Sequence, residues 1–479
     1  MHLNWDKYPI HSAFDETVSS PSNARMPSRK LLKYFNSLGE DELKERLEAT
    51  DTAIKTIGIS FTVYSDSGNI DRQWPLDIIP RIIANKEWSK VEKGLIQRLT
   101  ALNCFINDIY NDKKIFKDNV VPIEIILNSP GYQKQCENIT LPHNTWAHVC
   151  GTDLIRDDRG KFLVLEDNLR IPSGVSYMLE NRRVTKRVLP ELFQSYNVKH
   201  LGDYPNQLLE TLKSIAPTKS SNSEVVVLTP GIYNSAYFEH SYLAQQMGAE
   251  LVEGCDLVVE KDKVFMKTVA GLRKVDVIYR RVDDLYLDPE VFNKDSLLGV
   301  KGLMRAWRKG NVSIANAPGA GVADDKVVYT YVPKLIKYYL NEEPILDNVE
   351  SYQCSDPKER EYVLKNINKL VIKPANESGG YGMLIGPQAS NAEIEKFKSL
   401  IKKNSRNYMA QPLISLSTCP VITNSGAKPR HIDLRPFILQ SKSSYVTPGG
   451  LTRVAMKQGS YVVNSSQGGG SKDTWIIEP

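Results

Sequence analysis

The sequence predicts a mixed α/β protein of several domains, and three stretches carry that prediction. "EVVVLTPG", "NSAYFEHSYLAQQMG" and "AELVEGCDLVVE", within 224–260, read as strand, helix and strand. A β-α-β unit of this kind implies a parallel sheet. "EWSKVEKGLIQRLTALNCFINDIYND" (87–112) repeats apolar residues at the three-four spacing of a long helix. Beyond residue 296 comes a third region of mixed helix and strand that ends in a Gly-rich tail. A chain of 479 residues suits two to four domains.

In chain order, residues 1 to about 30 are rich in Ser, Pro and Asn and read as an extended polar lead. Residues 28–58 have helical periodicity through Leu43, Leu47, Ala53 and Ile54, and "ISFTV" (59–63) is strand-like. In the β-α-β unit, Ala236, His240, Leu243, Ala244 and Met247 form one stripe, and Gly248 stops the helix. The stripe position favours a structural, hydrogen-bonded His240. "VDVIYRRVDD" (275–284) reads as a further strand ending in charge, and the chain closes on a Gly-rich tail, "SSQGGGSKDTW".

A net charge of +5 is small for this length and argues against a dedicated nucleic-acid binder. The six cysteines form no CxxC pair and have no metal-ligand spacing to histidine. Reduced thiols in a cytoplasmic setting are expected. The N-terminal residues lack the basic start and apolar core of a signal peptide, and no apolar run is long enough to span a membrane.

"FLVLEDNLRIPSG" (162–174) turns from an apolar run to three oxygen-bearing residues. Strand alternation puts Glu166 and Asn168 on one face and Asp167 on the other. A carboxylate and an amide oxygen together suit a hard cation such as Mg²⁺. The turn at "DDRG" (157–160) could fold Asp153 back beside Glu166. A polar strand end facing water accounts for the same letters, and residue types alone tilt slightly toward it. "VIKPANESGGYG" (371–382) places Lys373 at a strand end before a glycine turn, which lets backbone N–H groups approach phosphate oxygens. It matches neither G-x-x-x-x-G-K-[ST] nor G-x-G-x-x-G, and glycine turns are common. In "RHIDLRPFIL" (430–439), His431, Asp433 and Arg435 share a face opposite Ile432 and Leu434; a cross-strand ion-pair ladder is the plain reading. "GGLTRVAM" (449–456) offers Arg453 to an anion, and Lys326 opens a helical segment.

Together and in this order, these stretches resemble the circularly permuted ATP-grasp family, and more distantly the synthetase domain of glutathionylspermidine synthase. "EWSKVEKGLIQRLTALNCFINDIY", "VLEDNLRIPSGVSYMLENR", "LTPGIYNSAYFEHSYLAQQMGAELVEGCDL", "GAGVADDKVVYTYVPKLIKYYL", "VIKPANESGGYG" and "RHIDLRPF" carry the match, over roughly 58–475. The resemblance implies a permuted ATP-grasp fold with an adjoining Rossmann-like β-α-β domain on the substrate side. The implied parts are 1–57 as lead and helix, 58–195 with the metal-binding strands, 196–295 as the substrate-side domain, and 296–479 with the nucleotide lysines and glycine loop.

It implies Asp153, Glu166 and Asn168 as Mg²⁺ ligands and Lys326 and Lys373 as ATP-binding lysines. Gly379, Gly380 and Gly382 would form the lid, Gln411 would lie at the adenine hinge, and Arg435 and Arg453 would meet the transferring phosphoryl group. Glu239, Arg281 and Asp283 are candidates for contact with a charged substrate; a structural Arg281–Asp283 pair fits equally well. The glutathionylspermidine-type domains carry an arginine two residues before the first metal acid. Here Gly151 stands there, and Arg156 is a candidate substitute. The implied activity is ATP- and Mg²⁺-dependent joining of a carboxylate to an amine through an acyl phosphate. A non-catalytic nucleotide-binding scaffold or sensor and a small-molecule phosphotransferase are the alternatives.

Overall fold

Strand pairing brings residues from both ends of the chain into one sheet. A computed structural model describes every residue except 1, 2, 4, 11, 66, 67, 219–221, 377–381, 465–467 and 479, with the backbone alone over 60–72. The elements that place the site are, in chain order, α1 (Glu40–Ile57), β1 (Leu76–Ala84), α2 (Asn85–Tyr110), β2 (Val149–Arg156), β3 (Phe162–Asn168), α3 (Val175–Val188), β4 (Val225–Leu228), α4 (Tyr237–Met247), β5 (Glu250–Val252), β6 (Val277–Arg280) and β7 (Ser313–Ala315). They continue with α5 (Lys326–Leu340), β8 (Leu370–Pro374), β9 (Leu384–Ile385), β10 (Tyr408–Pro412), β11 (Gly426–Arg435), β12 (Phe437–Gln440), β13 (Leu451–Val454) and β14 (Gly470–Glu478).

Three sheets matter. Among the described residues the largest has 11 strands and runs β3-β2-β11-β13-β14-β1 through its centre. α2 packs on it: Leu95, Leu99, Leu102, Phe105, Ile106 and Ile109 are buried, as the three-four spacing predicts. The second sheet is parallel, β5-β4-β6-β7, with α4 crossing from β4 to β5. The parallel pairing of β4 and β5 around α4 matches the β-α-β reading of 224–260. Gly248 ends α4 in the left-handed conformation, at φ 65°, where a side chain would be strained. His240 is buried, its Nδ1 2.9 Å from Thr229 Oγ1, and burial pushes its pKa down to about 2. It stays neutral and structural. The third sheet, β9-β8-β10 with Tyr352–Gln353 on its edge, stands over the large sheet.

Three local readings change in three dimensions. The periodic stretch 28–58 is two helices, Arg29–Ser37 and α1, broken at Leu38 and Gly39. "RHIDLRPFIL" spans two strands, because Pro436 has no N–H to continue the ladder. The polar lead is tied down: Leu3, Trp5, Tyr8 and Val18 are buried with Leu31, Leu32 and Phe35 in one apolar cluster. Glu16, also buried, pairs with Arg81 at 2.6 Å and Arg156 at 3.2 Å. Two guanidiniums under the large sheet need a buried counter-charge, and the lead delivers it.

Candidate active site

The β2–β3 hairpin is in a register that sets Asp153 directly opposite Glu166 and Gly151 opposite Asn168. Side chains on an antiparallel pair stand about 5 Å apart across the strands, so the two carboxylates converge. A bulge between Asp153 and Leu154 re-aims the strand there. Asp167 takes the other face and is bidentate to Arg98 Nε of α2, at 2.8 Å to each oxygen. The alternation read from "LEDN" therefore holds.

Next in the sheet, β11 presents Asp433 and Arg435 while Ile432 and Leu434 are buried on its other side. Asp433 lies opposite Arg453 of β13. The result is a four-membered cluster. Arg435 grips Asp153 through Nε at 2.5 Å and Nη2 at 2.8 Å, and Arg453 Nη2 reaches the same carboxylate at 2.7 Å while also pairing with Asp433. Burial alone would raise the Asp153 carboxyl, but the Arg435 and Arg453 guanidiniums outweigh it and hold it well below the usual carboxylate range. For Asp433, burial wins and the pKa is raised.

The lysines come from the opposite side. Asp325 caps α5 by accepting from Val327 N, and is itself fixed by Arg406 at 2.6 Å and Ser129 at 2.7 Å. That anchors Lys326 at the first helical position, where its Nζ stands 3.5 Å from Glu166 Oε2. The Lys326 backbone N–H donates to the Ala375 carbonyl, just past β8, which ties α5 to the strand carrying Lys373. Burial, helped by Lys326, lowers the Lys373 pKa to about 8 against the pull of Glu166.

Asp153, Glu166, the two lysines, Asp433 and Arg453 line one cavity between the two sheets, enclosing about 1040 Å³ when space open to solvent is counted, while Arg435 and Asn168 stand just outside its lining. Its charged end holds Asp153, Glu166, Lys326, Lys373, Asp433 and Arg453. Its other walls are apolar, from Ile155 and Leu165 below to Val371, Ile385 and Leu413 above, with Gln411 among them. Gln411 is buried and donates to Ser351 Oγ at 3.0 Å. An apolar slot leading to an end where lysines and an arginine meet carboxylates suits a nucleotide, its phosphates on the cations and a metal ion on the carboxylates.

Hard oxygen donors for a cation are present in Asp153, Glu166 and Asn168, whose amide nitrogen is spent on the Gly151 carbonyl at 3.0 Å, leaving its oxygen to accept. The donor chemistry fits Mg²⁺, although Arg435 and Arg453 hold both Asp153 oxygens and would have to yield. Among the described residues, no group of three or more His, Cys, Asp and Glu side chains makes a cation site by itself.

Gly382 has φ 66° beside Pro374, whereas Gly379 and Gly380 lie outside the described residues. Glu239 and Arg281 do not line the cavity. Glu239 Oε2 accepts from Gly174 N, Ser176 N and Ser176 Oγ at the start of α3, and Arg281 donates to the Pro172 carbonyl and Ser173 Oγ. The Arg281–Asp283 pair, one of the two readings, does not form: Arg281 meets Glu239 at 3.4 Å, and Asp283 meets Arg170 at 2.8 Å. Arg156 sits at the far end of β2 from Gly151, on Glu16 and Glu87. A Cβ at Gly151 would come within 3.2 Å of Arg435 Cδ. Arg435, and not Arg156, therefore lies beside Gly151, the position at which the resemblance implied an arginine. Sequence reasoning left Asp433 out of the site; its place on the charged face of β11 was the available signal.

The profile of the circularly permuted ATP-grasp type 2 family matches residues 80–455, and the chain belongs to that family. An uncharacterized protein of Synechocystis sp. is 53% identical over 99% of both chains. A Frankia alni protein provisionally named glutamate–cysteine ligase 2-3 is 41% identical over 97% of this chain, which spans 54% of that longer protein. Among solved structures, the apo form of a glutathione synthetase-like effector (GSS30) from Globodera pallida superposes with a TM-score of 0.58 at 12% identity, covering 92% of this chain and 98% of that one; it shows the fold alone. Among the described residues no helix is long and apolar enough to cross a membrane, and all six cysteines are free.

Proposed function

We propose that this protein is an ATP- and Mg²⁺-dependent ligase that joins a small-molecule or peptide carboxylate to an amine. The observation that carries the reading is the convergence of Asp153, Glu166, Lys326, Lys373, Asp433 and Arg453 at the end of one apolar slot. The purine would lie in the slot, and Lys326 and Lys373 would take the phosphate oxygens. Bound between Asp153, Glu166 and Asn168, Mg²⁺ would supply charge neutralisation for the triphosphate. Arg435 and Arg453, one turned from Asp153, would stabilise charge on the transferring group. The substrate carboxylate oxygen attacks the γ-phosphorus and ADP leaves. The amine then attacks the acyl phosphate carbon, phosphate departs and the amine loses a proton. No side-chain nucleophile is needed. The provisional ligase name of the Frankia relative supports the reading, although that name can describe the half this chain does not span.

The test is incubation with ATP, Mg²⁺ and pooled amino acids and small acids, with ADP measured and new amides sought by mass spectrometry. ADP release that needs both an acid and an amine is expected. Release with one partner, together with a phosphorylated product, would make the protein a phosphotransferase. Tight ATP binding without turnover in any pool would make it a scaffold.

A further inference from the structure

One wall of the cavity comes from outside the family-matched residues. β13 and β14 are antiparallel neighbours, yet residues 455–469 connect them. Hairpin loops usually need about 2–5 residues, and loops longer than about 12–15 are uncommon. Part of this loop, Tyr461, Val462, Val463 and Asn464, lines the cavity. The matched region ends at 455, before these residues.

The loop is built to stay there. The Tyr461 ring stacks on His431 of β11, with centroids 4.6 Å apart and planes 16° from parallel. His431 Nδ1 is 2.8 Å from the Leu416 carbonyl, and Leu416 lines the cavity too. The returning chain presses on the loop's back. Gly469 N donates to the Asn464 carbonyl at 3.0 Å, and a Cβ at Gly469 would lie 2.1 Å from the Val463 carbonyl oxygen, so only glycine fits. A Cβ at Gly470 would likewise strike Met456 Sδ at 2.5 Å. The Gly-rich tail of the sequence has a physical role here: it lets two backbones touch so that the loop closes over the slot.

We propose that Tyr461–Asn464 is a nucleobase-binding strap, packing against the flat base of the nucleotide while the lysines hold its phosphates. The inference rests on the ATP-binding reading above. Val462 and Val463 add apolar surface to a slot already walled by Ile155, Leu165 and Leu413. An aromatic ring buried there gains contact area that the hydrated triphosphate does not.

The experiment measures the dissociation constants of a non-hydrolysable ATP analogue and of inorganic tripolyphosphate, both with Mg²⁺, by calorimetry on the wild type, Tyr461→Ala and Gly469→Ala. Both variants should bind the analogue about tenfold more weakly and tripolyphosphate unchanged, since about 1.4 kcal/mol of base contact is lost. Melting temperature verifies folding, and Tyr461→Ala, at a partly exposed position, serves should Gly469→Ala not fold. Unchanged analogue binding in Tyr461→Ala overturns the strap. Equal weakening of both ligands overturns the base assignment and gives the loop a structural role. Failure of the wild type to bind the analogue overturns the ATP reading itself, a separate outcome.

Discussion

The wild type should bind nucleotide in a pH-dependent way, and replacing Lys373 with methionine should abolish that dependence. Burial and Lys326 hold the Lys373 ammonium at about pKa 8 in the ligand-free protein. Polyphosphate binds the protonated form, and contact with it raises that pKa again. Below pH 7 the ammonium is present before ATP arrives. Above pH 8 a proton must be taken up, at a cost of about 1.4 kcal/mol per pH unit. From pH 7 to pH 9 the ammonium fraction of the free protein falls from about nine-tenths to about one-tenth, so the dissociation constant should rise about tenfold. Near pH 8 binding should take up about half a proton, visible as a dependence of calorimetric enthalpy on buffer ionisation heat. The methionine variant should bind weakly at every pH, with a flat profile. It should lose no thermal stability, because a lysine whose folded pKa is depressed weakens the fold below that pKa and relieves it only as pH rises. A flat wild-type profile, or the same rise in the variant, would refute the assignment of Lys373 to the phosphates.

Glu166→Gln should cut ADP formation by about 10²–10³-fold while leaving metal-free nucleotide binding nearly intact, because one of two facing carboxylates is lost; steady-state rates across a Mg²⁺ titration check it. Arg156→Ala should lower stability by about 2–3 kcal/mol in urea unfolding, less than for an orphaned buried charge because Arg81 still holds Glu16. Its nucleotide affinity should stay within about twofold, since its side chain pairs with Glu16 and Glu87 and does not line the cavity. Glu239→Gln should reduce the melting temperature, because one neutral amide oxygen replaces a carboxylate that accepts from Gly174 N, Ser176 N and Ser176 Oγ. Nucleotide affinity measured alongside should not move, as Glu239 does not line the cavity.

Much of the site was legible because strands alternate. Period two alone separated Glu166 and Asn168 from Asp167, and put His431, Asp433 and Arg435 on the face opposite Ile432 and Leu434. Asp167 pairs with Arg98 of a helix on the sheet's other side, as the alternation requires. The β-α-β unit was legible for a similar reason, its two periods being local properties of backbone geometry. The polar lead was misread because composition reports solvation, whereas Glu16 answers charges on strands far along the chain.

Tertiary structure decided which charges meet. Asp153 and Arg453 are 300 residues apart in sequence and share a hydrogen bond of 2.7 Å; no local pattern encodes that. Only the neighbouring of β2, β11 and β13 in one sheet brings Asp433 into the cluster, lays Arg435 over Gly151 and sends Arg156 to the opposite end of its strand. The sequence by itself determined the face on which each candidate residue stands, because that depends on dihedral geometry repeated every two or 3.6 residues. The fold determined partners, burial and the shape of the cavity, because those depend on which strands hydrogen-bond across long stretches of chain.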